Sequence, residues 1–570
     1  MPIKPPRRPV VSQATGRPSG DTRDRAPSST RAPQGRDPHG SEAYGSGARG
    51  RASSGRAPGG RDPQVRYAAS SDSVPGSRPA ARAASDAWRG SDDRRHGSSP
   101  GGSTWGASSR PAPARSGPRP GSRDFGQRPV LAADRPPALY LSCPSGVESL
   151  LAIEARRILG AAAQITESRG GIEVIAPTAA SVAERQHTLR DYAMRLNLES
   201  RLAQRVLWRV ASRVYRHEDD IYVMARGVNW SDWITPQHTL RVDVVSRRSH
   251  LQSLNFAGLR VKDAVCDDLR ERTGERPSVD TRFPDLGLVL YLDDLDAILY
   301  VDTSGEALFK RGWREDTGEA PLKETLAAAM LAAADWQGRP EDGALLDPCC
   351  GAGTIPIEAA QIACGIAPGL QRRFAFERQL PFATPAMKTA WGEMTQAARA
   401  RIHAPAVPIY ASDVAFRMVD FARRNAERAG VAQYIQFNGG DALERPAPQL
   451  PEGLPGAIVM NPPYGERIEV RGKAAMTRDA GGSEQRDGGD DFFPRLAAHW
   501  KRQYTENPAG WTAWMLSPDM KLPGKMRLKE SRRVPMWNGP IECRLFRFDL
   551  VKGSARTQPA GGPASDEPSA

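Results

Sequence analysis

The chain has 570 residues, enough for two or three domains, and a formal net charge of +13. The first 130 residues hold 23 Lys and Arg against 10 Asp and Glu, so the whole excess lies there and the remainder is neutral. No apolar run approaches the roughly 20 residues that span a bilayer, and Cys143, Cys266, Cys349, Cys350, Cys364 and Cys543 match neither a zinc spacing nor a disulfide framework, which argues against a membrane span and for a reducing cytoplasm.

Residues 1–136 are mostly Arg, Gly, Ser, Pro and Ala. Such a segment cannot bury enough apolar surface to offset its chain entropy, and it is predicted to be disordered. It lacks the apolar stretch of a secretory signal, and its interspersed Asp and its length speak against a transit peptide. As an Arg-rich arm it reads either as a sequence-independent phosphate contact or as a solubilising extension. Order is predicted to begin near Ala138, with a strand over Leu139–Cys143, then a helix over Val147–Leu159 capped by Ser145. Gly170-Gly171 marks a turn before a strand at Ile172–Ile175. Asp191–Val214 has apolar residues at Leu198, Leu202, Val206 and Val210, which predicts one long helix. Its face would carry Arg195, Arg201, Arg205, Arg209, Arg213 and Arg216, a solvated face or an RNA contact. Leu240–Ser246 alternates as a half-buried strand, Phe256–Arg272 is a helix ended by Gly274, and Leu288–Leu292 and Ala297–Asp302 form a hairpin across Asp293-Asp294. This is a small α+β arrangement closed by Gly305.

Arg260-Val261-Lys262-Asp263-Ala264, followed by Arg276-Pro277-Ser278-Val279-Asp280, resembles the THUMP domain of the large-subunit rRNA guanine-N2 methyltransferases, the RlmL family. The resemblance covers roughly residues 138–552 and implies that a ferredoxin-like part plus THUMP, residues 137–305, recognises structured RNA. It implies a methyltransferase domain over residues 306–556, with a disordered tail from 557 to 570. Lys310-Arg311-Gly312-Trp313-Arg314 leads to Ala320-Pro321-Leu322-Lys323-Glu324 and an Ala-rich helix to Trp336, with Pro321 suited to a first helical turn. By the same resemblance, Pro321 lies near the cofactor. Some family members carry a second methyltransferase half; the expectation here is the guanine-N2 half alone.

Ala344–Leu346 reads as a buried strand running into Asp347-Pro348-Cys349-Cys350-Gly351-Ala352-Gly353-Thr354 and a helix over Ile355–Ala363. Gly351 and Gly353 let backbone approach a ligand, and the helix N–H groups point at it. Cys349 stands where the usual class I methyltransferase loop has its first glycine, and it and Cys350 read as packing residues. The next strand, from Pro405 to Tyr410, ends at Ala411-Ser412-Asp413, where a carboxylate can accept from both ribose hydroxyls. The spacing is long because Pro368–Ala404 is an insertion. A helix over Met418–Ala429 and a strand over Tyr434–Phe437 lead to Gly440-Asp441-Ala442, which places a carboxylate where an adenine amino group could donate.

The apolar run Ala457–Met460 ends in Asn461-Pro462-Pro463-Tyr464. Two prolines terminate a strand and hold its end rigidly. The Asn side-chain carbonyl and a proline carbonyl can both accept from one planar NH₂, while the Tyr ring stacks on the heterocycle that carries it. A Gly-rich charged loop to Asp490, a helix with Phe492, Phe493, Leu496 and Trp500, a strand over Trp511–Leu516 and a closing hairpin about Asn538-Gly539 complete the chain.

The expected fold is α/β, a Rossmann-like class I methyltransferase domain preceded by an α+β domain. The resemblance implies S-adenosylmethionine as cofactor, Asn461, Pro462, Pro463 and Tyr464 as catalytic residues, and Asp347, Cys349, Gly351, Gly353, Thr354, Asp413, Asp441, Ala442 and Pro321 around the cofactor. It implies methyl transfer to the exocyclic N2 of a guanine in 23S rRNA or a large-subunit precursor, without an obligate protein partner. The same tetrad serves adenine N6 of nucleic acid and a protein glutamine, and a catalytically inactive RNA-binding assembly factor is the alternative of another class.

Overall fold

The computed structural model describes residues 66–67, 135–177, 181–318, 321–463 and 492–552. Nearly all of both predicted tails, together with Tyr464 and the loop to Asp490, lie outside the described residues.

The first sheet is built from β1 (Arg66–Tyr67), β2 (Ala138–Ser142), β3 (Gln164–Ser168), β4 (Gly171–Ile175), β5 (Arg205–Val214), β6 (Thr239–Ser246), β7 (Ser278–Val279), β8 (Leu286–Asp293) and β9 (Asp296–Asp302). Its helices are α1 (Glu148–Leu159), α2 (Val182–Glu199), α3 (Glu218–Arg226) and α4 (Leu254–Thr273). The strand order is β1-β6-β8-β9-β5-β2-β4-β3, with β7 beside β6. β5 pairs antiparallel with both β2 and β9, so the part before residue 200 and the part after it share one continuous sheet. Local chemistry sets the helix ends. Ser181 and Glu184 form a reciprocal capping box at α2. Ser253 caps α4, and Gly274 ends it in the left-handed region at φ 84°. At α1 the expected Ser145 cap is not used: the Glu148 carboxylate accepts from Gly146 N at 2.7 Å instead.

The predicted helix over Asp191–Val214 is two elements. α2 stops at Glu199, and β5 begins at Arg205. Ser200 turns to extended backbone because the buried Glu154 carboxylate accepts from Ser200 Oγ at 2.6 Å and from Arg201 N at 3.0 Å. The basic face therefore does not exist. Arg195 pairs with Asp191 on α2, Arg209 is buried on β5 against Glu173 at 2.6 Å, and Arg205 pairs with Asp302. In this part of the chain β1, β3, α3 and β7 went unpredicted.

The second sheet follows α5 (Glu324–Ala333). It contains β10 (Ala344–Asp347), β11 (Ile409–Asp413), β12 (Ile435–Gly439), β13 (Gly456–Met460), β14 (Trp511–Ser517), β15 (Glu530–Asn538) and β16 (Ile541–Leu550). The flanking helices are α6 (Thr354–Ala363), α7 (Pro385–Ala400), α8 (Phe416–Arg428), α9 (Phe492–Gln503) and the short α10 (Leu522–Met526). The order is β12-β11-β10-β13-β14-β16-β15, parallel across β12 to β14, with β16 antiparallel. The chain enters at the central β10, goes outward to β11 and β12, then returns to β13. The switch point lies between β10 and β13, where open α/β sheets bind ligands at the strands' carboxyl ends.

The insertion at 368–404 packs on the first sheet. Gly369 N donates to Leu198 O at 2.9 Å, Phe376 N to Thr303 O at 3.0 Å and Leu380 N to Trp233 O at 3.0 Å. The rings of Phe376 and Phe382 meet at 5.2 Å between centroids, and Phe382 meets Trp208 of β5 edge-on at 6.3 Å.

Candidate functional site

Four polar residues stand at the carboxyl ends of four adjacent parallel strands: Asp347 on β10, Asp413 on β11, Asp441 two residues beyond β12 and Asn461 just after β13. The strands before Asp347, Asp413 and Asn461 are apolar and mostly buried, while β12 before Asp441 is an edge strand with only Ile435 buried; a polar group at each end marks the sheet edge.

Backbone hydrogen bonds tie three of these ends together. Asp347 Oδ1 accepts from Cys349 N at 3.1 Å, which folds the chain back after β10. Cys350 N donates to Ser412 O at 2.9 Å, and Gly351 N to Asp413 Oδ2 at 2.9 Å, so the glycine loop is fastened to the end of β11. Asp413 Oδ1 accepts from Ala415 N at 2.9 Å, and Gly440 N donates to Asp413 O at 3.0 Å. A carboxylate oxygen has a second lone pair, so Asp413 can still accept from a ligand hydroxyl. Asp441 Oδ1 accepts from Leu443 N at 2.9 Å, while Ala442 is buried behind it.

Gly351 and Gly353 both have positive φ, 51° and 87°. They serve different ends. A Cβ on Gly353 would lie 2.8 Å from Ala422 Cβ, so this glycine lets the loop seat against α8. A Cβ on Gly351 would meet nothing within 4 Å, so this glycine faces open space.

Burial pushes the Asp347 carboxyl well above the ordinary range, and the neighbouring Asp413 carboxylate adds to the rise. Asp413 is raised by burial against the opposing pull of the Ala415 and Gly351 amides. Burial also raises the Cys349 and Cys350 thiols, with Asp347 and Asp413 contributing, so neither is a ready thiolate.

Two predicted cofactor residues occupy other surroundings. Thr354 is buried, and its hydroxyl accepts from Arg314 Nη2 at 2.7 Å. Pro321 is exposed and precedes α5 by three residues, with Lys323 at the N-cap, so it is not in the first helical turn. Two supporting residues were missed. Asn425 of α8 is fully buried and donates from Nδ2 to Ala352 O at 3.0 Å and Asp316 O at 2.8 Å, pinning the glycine loop from behind. Arg314 joins Thr354 to Glu324 of α5 at 2.7 Å. The signal for Asn425 was an amide in the middle of an otherwise amphipathic helix.

At β13 the apolar run ends in half-buried Asn461, buried Pro462 and exposed Pro463. Asn461 Oδ1 is shielded from solvent and has no hydrogen-bond partner among the described residues. A buried amide oxygen without a donor is costly, and a ligand donor would relieve it.

Comparison with known proteins matches two family models, a THUMP domain over residues 215–302 and an "RMKL-like, methyltransferase domain" over residues 311–547. A curated relative named "Ribosomal RNA large subunit methyltransferase K/L" from Pseudomonas paraeruginosa is 35% identical over 414 residues, covering 72% of this chain and 52% of the relative. The chain thus spans about half the length of the curated relatives it matches. Among solved structures, one described as "a possible methylase" from Clostridium difficile 630 is 26% identical with a TM-score of 0.58, covering 74% of this chain and 99% of its own. Another, described as a "predicted N6-adenine-specific DNA methylase" from Listeria monocytogenes, is 25% identical with a TM-score of 0.57, covering 72% and 95%.

Proposed function

The chain carries a THUMP domain followed by a methyltransferase domain of the RMKL-like family, and from that premise we propose that it transfers a methyl group from S-adenosylmethionine to the exocyclic N2 of a guanine in 23S rRNA. The observation that carries the reading is the row Asp347, Asp413, Asp441 and Asn461 along one sheet edge, with the unpartnered Asn461 oxygen at its end.

When bound, S-adenosylmethionine supplies an already activated methyl group. The chain therefore needs no strong nucleophile; it must align an amine lone pair. Asp413 would accept from the ribose hydroxyls and Asp441 from the adenine amino group, while Gly351 leaves room for close approach. Asn461 Oδ1 and the Pro462 carbonyl would each accept from the guanine NH₂. That pair of bonds makes the nitrogen more tetrahedral and aims its lone pair. Tyr464, outside the described residues, would stack on the base swung out of its helix. The N–C bond would form as the donor's S–C bond breaks, and the alkylated amine would then lose its proton to solvent.

The same acceptors suit an adenine N6, but a THUMP domain ahead of the methyltransferase domain favours RNA over DNA. The test is transfer of tritiated methyl from S-adenosylmethionine to total RNA from a strain lacking the gene, followed by nucleoside analysis. N2-methylguanosine in large-subunit rRNA is expected. Label in adenosine would replace the guanine assignment, and failure to bind S-adenosylmethionine would favour an inactive assembly factor.

A further inference from the structure

The joint between the two sheets is made around α6, the helix that begins at the glycine loop. Glu358 lies one turn into α6 and is fully buried. Its Oε1 accepts from Arg311 Nε at 3.1 Å, and its Oε2 from Arg311 Nη2 at 3.4 Å and from Arg201 Nη1 at 3.5 Å. Arg201 belongs to the turn between α2 and β5, on the first sheet's side. Its Nη2 also donates to Gln361 O at 3.2 Å and to Ile366 O, at the far end of α6. The same arginine is anchored from behind: its N–H goes to Glu154, and its carbonyl accepts from Arg311 Nη2 at 2.7 Å. Three residues beyond Arg311, Arg314 holds Thr354 in the first turn of the helix. One guanidinium from outside the methyltransferase sheet thus grips the middle and the carboxyl end of the helix whose amino end is the loop. Arg201 lies outside both segments matched by the family models.

We propose that Arg201 is a positioning residue for the loop Asp347–Thr354: through Glu358 and the α6 carbonyls it fixes where the glycine turn stands, so the first sheet's body completes the cofactor site without touching the cofactor. The cofactor part of this inference rests on the function proposed above; the grip on α6 does not.

The test compares the full chain with Arg201→Met and Arg201→Lys by two readouts: titration calorimetry with S-adenosylmethionine, and amide hydrogen exchange of a peptide spanning 348–362. Arg201→Met is expected to weaken S-adenosylmethionine binding roughly ten-fold and to speed exchange across the loop and first turn of α6 by about the same factor, while amides of β2 and β4 keep their protection. Arg201→Lys keeps the charge but offers one nitrogen to three acceptors, and it recovers only part of the loss. A lowered melting temperature with loop exchange and cofactor affinity unchanged would reduce Arg201 to a packing residue and overturn the proposal. If Arg201→Met fails to fold, Arg201→Gln takes its place: it removes the charge but keeps an amide that can donate, while Glu358 retains Arg311 as its counter-charge. If the unsubstituted chain binds no S-adenosylmethionine, the proposed function falls, and the exchange readout alone decides for or against the grip.

Discussion

At the scale of single residues, the site separates groups that hold its frame from groups that take no part in holding it. Asn461 is of the second kind, and its oxygen lacks a donor among the described residues. Asn461→Ala is expected to lower the turnover number roughly 100-fold or more, with affinity for S-adenosylmethionine within a few-fold of the original; single-turnover methyl transfer beside calorimetry checks both, and equal loss of the two would remove the assigned role. Asp347 is of the first kind. Burial raises its pKa, so the folded chain keeps a proton at a pH where the unfolded chain has lost it. Stability therefore falls as pH rises from about 4, the unfolded value, towards the raised folded value, and stays lower above it. Asp413 is shifted in the same direction. Asp347→Asn should accordingly raise the melting temperature of the cofactor-free chain at pH 7, with the gain shrinking towards pH 4; a gain that persists unchanged at low pH contradicts this. Asp347, Asp413 and Asn461 were legible in the sequence because each closes an apolar strand, and Asp441 because it follows the Gly439-Gly440 pair just past β12. Arg314, Asn425 and Glu358 were not, because their respective partners Thr354, Ala352 and Arg201 lie 40, 73 and 157 residues away in the chain and only the fold brings them together.

At the scale of elements, the strands of the second sheet could be read directly, since short apolar runs closed by Gly, Pro or Asp leave little choice. The span from Asp191 to Val214 could not. Leu198, Leu202, Val206 and Val210 recur every four residues, which mimics a helix. β5, whose residues Val206 to Arg209 are buried in succession on both faces of the sheet, emerges only once Glu154 has captured Ser200 and the Arg201 amide. β3 was missed because Gln164–Ser168 is a mostly exposed edge strand with a single aliphatic residue. The insertion was recognised as extra sequence, but not as the strap it forms. Phe376 is buried in that strap against Phe374, Phe382 and Trp391. Phe376→Ala should destabilise the chain by about 3–5 kcal/mol, measured by urea unfolding. A loss below about 1 kcal/mol would mean that the aromatic cluster is only loosely packed.

For the molecule as a whole, the two sheets share buried charge as well as surface. Glu154 and Arg201 come from one side, and Arg311 and Glu358 from the linker and the other. Separating the sides would break these hydrogen-bonded ion pairs and open the packed joint around them at the same time, which couples the two bodies. Although two bodies often melt apart, residues 135–552 are expected to unfold in a single calorimetric transition. Two well-resolved transitions would show that the joint is weaker than its hydrogen bonds suggest. The same joint bears on the order in which the chain is made. Proteins emerge from the ribosome amino end first, and early domains fold as they appear. Glu154 and Arg201 are synthesised 204 and 157 residues before Glu358. A nascent chain that has completed the first sheet still presents the Arg201 guanidinium without Glu358, so the first body reaches its settled form only after α6 has been translated. The glycine loop, directly ahead of α6, is then set in place by a body that was waiting for it.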